Sequence, residues 1–350
     1  MRREFVKRPE KNLPAFKVAA VYIGTVVGAG FASGQEILQF FGYFGLWGIA
    51  GLALATFLFA VLGAKVMLIA HNIGGSSYKE LVDLVGGRWL GPLINFIISF
   101  FLFGILAAMV AGTGAVFEQE FGWPFFVGLA FMAGLAGLTV IAGLSKVIDA
   151  ISIVVPFLVI TLLGVGLYFL FSVPLDLSWS SPASATLPRW YLSGLAYVSY
   201  NLTLAVPLLV PMGTLATPQS LKKGAIIGAL GLGGSALVIL LTILGGAFGV
   251  ADFEIPMLVV AGTVSPAVRF IYTFVLVAEV YTTAISNLYG FVSRLVSVDS
   301  PWFKPFTVLV AAGSFFAGQL GFSKIVATVY PVIGIAGLIF IFALAFKTYQ

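Results

Sequence analysis

Apolar segments of about 20 residues, the length that crosses a bilayer, recur throughout this sequence of 350 residues. Ten spans are predicted, near residues 16–43, 45–70, 91–117, 124–144, 149–173, 190–212, 224–250, 267–292, 302–320 and 323–347. Charged residues make up only 9% of the chain, whereas a soluble domain carries about 25%. So few charges cannot cover a surface facing water, while helices in lipid need no such cover. The sequence therefore predicts an all-α membrane protein.

Lysine and arginine are concentrated in the N-terminal tail and in the alternate loops that would share its side of the membrane. The other loops carry several acidic residues instead, among them Glu118, Glu120 and Asp252. Because basic loops are retained in the cytoplasm, this asymmetry predicts that both termini are cytoplasmic. The basic tail is not followed by a short apolar region with a cleavage site, so no removable signal peptide is expected.

The predicted spans divide into two sets of five, and the odd number makes the second set enter the membrane from the opposite side. This arrangement is a five-plus-five inverted repeat. We expect a cytoplasmic basic tail at 1–15, the first repeat at 16–173 with helices 1 to 5, an extracellular loop at 174–189 and the second repeat at 190–350 with helices 6 to 10.

The first span of each set is interrupted. Span 1 contains TVVGAGFASGQE at residues 25–36, and span 6 has polar residues at mid-depth followed by Pro207 and Pro211. Glycine adopts unusual dihedral angles and proline removes a backbone donor, so helices 1 and 6 are both predicted to be discontinuous. Unpaired backbone groups in lipid cost several kcal/mol each, so such breaks are expected to line a binding cavity.

Other interpretations of the glycine-rich stretch remain. Gly24 with Gly28, and Gly30 with Gly34, have the spacing of closely packed membrane helices, which requires no break. A dinucleotide fingerprint is disfavoured because GAGFASG follows no strand and no acidic residue lies about 20 positions further on. A pore filter would normally come from a short re-entrant segment. An enzyme is not expected, because the chain has no cysteine, one histidine and no nucleophile paired with a base.

The motif IGTVVGAGFASGQE, followed by FFGYFGLWG, resembles the bacterial YkvI-like amino acid permeases, distant members of the amino acid, polyamine and organocation transporter superfamily. The resemblance covers nearly the whole chain. It implies the leucine transporter fold, in which a bundle of spans 1, 2, 6 and 7 moves against a scaffold of spans 3, 4, 8 and 9. It also implies a location in the bacterial inner membrane and transport of a small amino acid or a related organic solute.

The resemblance further implies one sodium ion between spans 1 and 8. Its ligands would be the carbonyl oxygens of Gly24, Val27 and Glu279 and the hydroxyls of Thr282 and Thr283. Five oxygens suit a hard cation. Threonines in membrane helices also commonly bond to carbonyls of their own helix, which is the alternative for this pair.

Two further features bear on the coupling ion. Phe31 stands where some relatives carry a ligand for a second sodium, and span 5 lacks the lysine of proton-coupled relatives. Glu36 and Glu279 lie within predicted spans, where carboxylates are usually functional. Either could carry a proton, so proton-coupled transport of the same solute class is the alternative. A local role for Glu36, bonding neighbouring amides, is an equal alternative.

The predicted function is sodium-coupled symport by alternating access, with an ion channel as a less favoured class. A zwitterion suits the main-chain groups of both breaks, because freed amides bind a carboxylate and freed carbonyls bind an ammonium group. The expected partners are this solute and the lipid bilayer, with no nucleic acid. The expected substrate-binding residues are Gly28, Ala29, Gly30, Phe31, Ala32, Ser33, Ser199, Tyr200, Asn201 and Thr203.

Overall fold

The computed structural model describes residues 13–75, 78–172, 180, 181, 185, 187–245, 256–321, 325 and 337–344. Span 1 consists of three short helices, α1 (Ala15–Val26), α2 (Ala29–Ala32) and α3 (Gln35–Phe40), and a 3-10 turn follows at Gly42–Phe44. The first half continues with α4 (Leu46–Ile73), α5 (Tyr78–Phe121), α6 (Phe125–Ile141) and α7 (Leu144–Ser172).

The second half contains α8 (Trp190–Gly213), α9 (Pro218–Gly245), α10 (Pro256–Val264), α11 (Pro266–Leu295) and α12 (Phe303–Gly318), and residues 337–344 are also helical. In the described part of the chain, six helices are long and apolar enough to cross a membrane, and three apolar helices are shorter. The all-helical prediction is confirmed. Most of the predicted tenth span, 323–347, lies outside the described residues.

Span 1 is broken where the glycine motif predicts, but span 6 is not. Helix α8 runs without interruption from Trp190 to Gly213, so the predicted discontinuity of helix 6 is wrong. Two of the mid-span polar side chains bond to carbonyls one turn back in the same helix: Asn201 Nδ2 donates to Tyr197 O at 2.9 Å, and Thr203 Oγ1 donates to Ser199 O at 2.7 Å. This local bonding gives these two side chains partners without unwinding the backbone.

Pro207 of α8 is accommodated by a neighbouring helix. Pro207 packs against Gly290 of α11 so closely that a Cβ atom at position 290 would lie 2.5 Å from Pro207 Cβ. The absence of a side chain at Gly290 therefore makes room for the proline ring inside a helix that stays continuous. A proline in a membrane helix is tolerated when surrounding helices pack around it.

The helices pack as two groups. In one group α4 contacts α8 and α9, and α1 contacts the same two helices. In the other, α5 packs on α6, α11 and α12, and α6 also contacts α11 and α12. These groups consist of spans 1, 2, 6 and 7 and of spans 3, 4, 8 and 9. The glycine break of span 1 lies at the boundary between them, because both α1 and α2 contact α11.

Ion pairs join helices at both faces of the bundle. At the face where α1 begins, Lys17 Nζ lies 2.5 Å from Asp149 Oδ1 of α7. At the opposite face, Arg269 of α11 and Glu120 of α5 form a second pair at 3.2 Å. All four side chains are partly exposed, so each pair contributes little to stability on its own. Each pair links two spans, α1 to α7 and α11 to α5.

Helices α5 and α6 approach through facing glycines. A Cβ atom placed on Gly128 of α6 would lie 2.7 Å from both Gly114 Cα and Thr113 O of α5. Since these are backbone atoms, they cannot move aside as a flexible side chain could. Gly134 lies on the exposed side of the same helix, where a Cβ would meet nothing within 4 Å.

We therefore expect Gly128→Ala to destabilise the protein by about 1–3 kcal/mol, the usual cost of overpacking. The matched control, Gly134→Ala, should be neutral or stabilising by up to about 1 kcal/mol, because alanine has the higher helix propensity. Thermal unfolding of the two purified variants in detergent measures the difference. Equal melting temperatures for both would contradict the close α5 and α6 packing.

Candidate functional site

The backbone of span 1 leaves the helical conformation directly after α1. Val27 is extended, with φ −69° and ψ 125°, and its amide donates to Ile23 O at 2.7 Å. The next bond of a continuous helix, from the Gly28 amide to the Gly24 carbonyl, is absent in this described segment. The break therefore frees main-chain polar groups in the interior of the bundle, where water does not satisfy them.

A second interruption separates α2 from α3. Gly34 has φ 83°, a left-handed conformation that favours glycine. The Ser33 carbonyl accepts a hydrogen bond from the Met257 amide of α10 at 2.9 Å, so α10 covers this side of the break. The Ser33 hydroxyl in turn donates to Gly30 O at 3.0 Å. The glycine-rich stretch is thus held in its broken form by contacts from outside span 1.

Two side chains of α11 bond to the broken backbone, at two positions along span 1. The Thr283 hydroxyl donates to Val27 O at 3.2 Å, and the Tyr272 hydroxyl donates to Ala32 O at 2.6 Å. All four residues are buried. Tyr272 was not singled out in the sequence, because an aromatic residue in an apolar span carries no signal of this bond.

Of the expected cation ligands, the structure joins Val27 to Thr283 across two spans and Thr282 to Glu279 within α11. Thr283 contacts Val27, while Thr282 donates to its own helix, to Glu279 O at 2.9 Å, as the alternative interpretation of the threonines predicts. Gly24 lies one turn before the break, and its Cα faces Ile151 and Val155 of α7.

The Glu279 side chain is fully buried beside these oxygens. Its Oε1 atom lies 3.5 Å from the Thr282 hydroxyl, and its Oε2 atom has no hydrogen-bond partner in the described structure. Carbonyl, hydroxyl and carboxylate oxygens are the ligands that hard cations prefer. Among the described residues, no three histidine, cysteine, aspartate or glutamate side chains converge as a metal cluster. The oxygen donors present fit a hard cation such as sodium.

Glu36 forms a second polar centre at the break. Its carboxylate lies against Gly30, in the space that a Cβ atom at position 30 would occupy, and it accepts a hydrogen bond from the Tyr200 hydroxyl of α8. The Tyr200 ring stacks on Phe40 with centroids 5.9 Å apart and an interplanar angle of 25°. The sequence marked Glu36 and Tyr200 separately as polar residues at mid-span, but their pairing depends on how spans 1 and 6 pack.

The other polar residues of span 6 are placed differently. A Cβ atom on Gly337 would lie 2.7 Å from Ser199 Oγ and 3.0 Å from Thr203 Oγ1, so both hydroxyls face the helical segment 337–344. Asn201 bonds within α8. Of the span 6 residues expected to bind substrate, Tyr200 is thus the one that the structure joins to span 1 by a hydrogen bond.

Of the span 1 residues expected to bind substrate, Phe31 and Ala32 are buried and Ala29 begins α2. Phe31 borders an apolar crevice that also touches Leu52, Phe59 and Tyr197. This crevice is too narrow to hold a water molecule. The interior beside Phe31 is therefore closed in this conformation.

Comparison of the chain with known proteins places it among bacterial membrane proteins. No family model matches the chain. The membrane protein YkvI of Bacillus subtilis (strain 168) is 34% identical over 340 residues, which cover 95% of this chain and 96% of YkvI. The chain belongs to the YkvI family. YyaD from the same organism is 28% identical over 332 residues, which cover 90% of this chain and 91% of YyaD.

Solved transporter structures share the fold of this YkvI-family chain. A Na⁺-coupled sialic acid symporter in a substrate-bound outward-open state matches with a TM-score of 0.69 and 14% identity, over 96% of this chain and 79% of the symporter. MhsT in complex with L-phenylalanine matches with a TM-score of 0.67 and 17% identity, over 93% of this chain and 88% of MhsT. A manganese transporter of Eremococcus coleocola matches with a TM-score of 0.61 and 14% identity, over 94% of this chain and 78% of the transporter. At these identities the likeness establishes the fold alone.

The position of the Glu36 carboxylate against Gly30 is testable in this YkvI-family chain. In Gly30→Ala the new methyl group would displace the carboxylate and break its hydrogen bond to Tyr200. We expect the free energy of unfolding to fall by about 1.5–3 kcal/mol, the typical contribution of a hydrogen bond to a charged group. Gly28→Ala is the matched control, because a Cβ there lies 3.6 Å from Thr283 Oγ1, an ordinary contact.

Thermal unfolding of Gly30→Ala, Tyr200→Phe and the double variant measures this effect. Because both changes remove the same hydrogen bond, their effects should not add in the double variant. Full additivity would contradict the proximity of Gly30 to the bond between Glu36 and Tyr200.

Proposed function

We propose that this chain is a secondary active transporter of the bacterial inner membrane, with both termini cytoplasmic, that imports a small amino acid or a related zwitterionic solute together with sodium. The contact between the Thr283 hydroxyl and the Val27 carbonyl is the observation that carries the proposal, because it joins a broken membrane helix to span 8 through two oxygen ligands. The fold shared with solved transporters supports it. An enzymatic activity is not proposed.

The proposed sodium site uses the carbonyl oxygens of Gly24, Val27 and Glu279 with the hydroxyls of Thr282 and Thr283. A bound sodium ion would supply positive charge at the site, and the sodium gradient across the membrane would drive solute uptake. The protein contributes freed carbonyls from span 1 and, from α11, the Glu279 carbonyl and the hydroxyls of the adjacent residues Thr282 and Thr283, which follow Glu279 by about one helical turn. The buried Glu279 carboxylate, when ionised, would add negative charge beside these oxygens and favour a cation there.

Alternating access follows from the location of this site. Val27 belongs to the group of spans 1, 2, 6 and 7, whereas Thr283 belongs to the group of spans 3, 4, 8 and 9. Ligands drawn from both groups stabilise the arrangement in which the groups are close, and any ligand that prefers one arrangement shifts the population toward it. The partly exposed ion pairs at the two faces are weak enough to open during such a movement.

The proposed solute site adjoins the break, at Gly28, Ala29, Gly30, Phe31, Ala32 and Ser33, with Ser199, Tyr200, Asn201 and Thr203 from span 6. The inverted repeat and membership of the amino acid, polyamine and organocation superfamily are part of the same proposal. Since α8 is continuous, main-chain recognition would come from span 1 and side-chain recognition from span 6. The narrow crevice beside Phe31 is consistent with a closed conformation that must open to admit the solute.

A second candidate is proton-coupled transport of the same solute class. It is favoured by the buried Glu279 Oε2 atom, which has no hydrogen-bond partner in the described structure and could bind a proton. Glu36 is the other candidate carrier of a proton. An ion channel is less favoured, because the proposed sodium and solute sites already give the buried polar groups of the break a role.

Thr282→Ala combined with Thr283→Ala tests the sodium site. We expect the double variant to fold and to lose sodium-stimulated solute uptake in proteoliposomes, together with any increase in melting temperature on adding sodium. The matched control is Thr273→Ala on the same helix, a buried residue whose hydroxyl donates to Arg269 O of its own helix. Intact sodium stimulation in the double variant would reject the site.

Replacing sodium by choline at fixed pH separates the two coupling candidates. Uptake driven by sodium should stop, whereas a proton-coupled carrier should continue when the inside-alkaline gradient is kept. Unchanged uptake in choline would exclude sodium coupling and leave the proton-coupled alternative. Conductance far above the turnover of a carrier, without saturable solute binding, would favour a channel instead.

A further inference from the structure

Two carboxylates are the charged side chains buried in the described part of the chain. Glu36 is 8% exposed and Glu279 is fully buried, and no buried lysine, arginine or histidine accompanies them there. An ionised carboxylate without a counter-charge is costly in a low-dielectric interior. Glu279 lies beside the proposed sodium site, so a bound sodium ion would supply its counter-charge. Glu36 requires a different partner.

The hydrogen bonding of Glu36 is incomplete. The Tyr200 hydroxyl is its one donor among the described residues, although a carboxylate can accept about four hydrogen bonds. The Oε1 atom is directed at Gly30, on the surface of the broken backbone. A ligand in the span 1 break would therefore meet a carboxylate with acceptor capacity that the protein leaves unused.

Aromatic rings surround the same carboxylate. Tyr200 stacks on Phe40, and Tyr197 lies against both rings with centroid distances of 5.8 Å and 5.3 Å. The Tyr197 hydroxyl is buried without a hydrogen-bond partner in the described structure. Aromatic faces attract cations, and a free hydroxyl can accept a hydrogen bond from one.

We infer that Glu36 binds the ammonium group of the solute, with Tyr200, Phe40 and Tyr197 forming its aromatic surroundings. An ammonium group has three N–H donors, which match the unused acceptors of the carboxylate and the Tyr197 hydroxyl. The inference rests on the proposed transport function and narrows its substrate class. The recognised solutes carry a primary amine, and a carboxylate on the solute is not required. The corresponding acid without its amino group is not bound.

A purely structural role predicts different behaviour. In that case the bond between Glu36 and Tyr200 only pins span 1 to span 6, and removing either partner has the same consequence. In the ammonium site, Glu36 supplies charge and Tyr200 supplies a ring and one hydrogen bond. The two residues can therefore be separated by substitution, because Tyr200→Phe keeps the ring and the carboxylate.

The experiment uses matched sets of an amino acid, its amine and its deaminated acid. These are alanine, ethylamine and propanoate; leucine, isopentylamine and isocaproate; and phenylalanine, phenethylamine and hydrocinnamate. Binding is measured by thermal shift of the full-length purified protein at saturating sodium, since a ligand of the native state raises its melting temperature. We expect binding by the amine and the amino acid of at least one set and none by its acid.

Substitutions then identify the side chain that distinguishes amines from deaminated acids. Glu36→Gln, of nearly the same size, should weaken binding of the amine by at least about tenfold, because a buried ammonium loses its counter-charge. The sodium-induced thermal shift should remain. Tyr200→Phe should weaken amine binding by less than about threefold, because the carboxylate and the aromatic ring are both retained. Glu118→Gln, an exposed change of the same chemistry, is the control and should bind as the wild type does.

The outcomes separate this inference from the transport proposal. Equal binding of amines and deaminated acids, or equal loss in Glu36→Gln and Tyr200→Phe, would overturn the ammonium site while leaving sodium-coupled transport standing. Unchanged amine binding in Glu36→Gln would do the same. If no compound of any set binds or is taken up with sodium, both the ammonium site and the proposed function are overturned.

Discussion

The structure depends on how the unpaired backbone of span 1 is satisfied inside a bilayer. A break in a membrane helix exposes carbonyl and amide groups that lipid cannot solvate, so neighbouring protein must bond to them. Here the partners come from the second half of the chain. Thr283 reaches Val27, Tyr272 reaches Ala32, and the Met257 amide reaches Ser33. The broken form of span 1 is thus a property of the assembled bundle, and the halves are joined at the place where ligands are proposed to bind.

The same constraint explains why two spans with similar sequence signals fold differently. Glycines at 28, 30 and 34 permit an irregular backbone, and Gly34 adopts a left-handed conformation that favours glycine. The break in span 1 was therefore predictable from the sequence. Pro207 also disfavours a regular helix, but Gly290 on another helix makes room for its ring, and that contact is separated from it by many residues. Local sequence alone could not show that span 6 stays continuous.

The candidate site was predictable to a similar extent. Hydroxyls at 282 and 283 and carboxylates at 36 and 279 stand out in apolar spans, because polar groups there are costly unless they are used. Their partners were harder to foresee. The bond between Tyr200 and Glu36, and the orientation of Ser199 toward Gly337, depend on the rotation of α8 about its axis. That rotation is set by tertiary packing rather than by local propensity.

The asymmetry between a broken span 1 and a continuous span 6 bears on selectivity. Main-chain carbonyls are the same in every sequence, so a site built from them recognises a small cation by size and ligand number rather than by side-chain identity. Side chains can differ, and the group that distinguishes one organic solute from another should therefore lie on them. In this chain Glu36 and Tyr200 are the side chains that join span 1 to span 6 by a hydrogen bond at the break. Ion binding and solute selection would thus use different parts of one irregular segment, and a substitution could alter one of them while sparing the other.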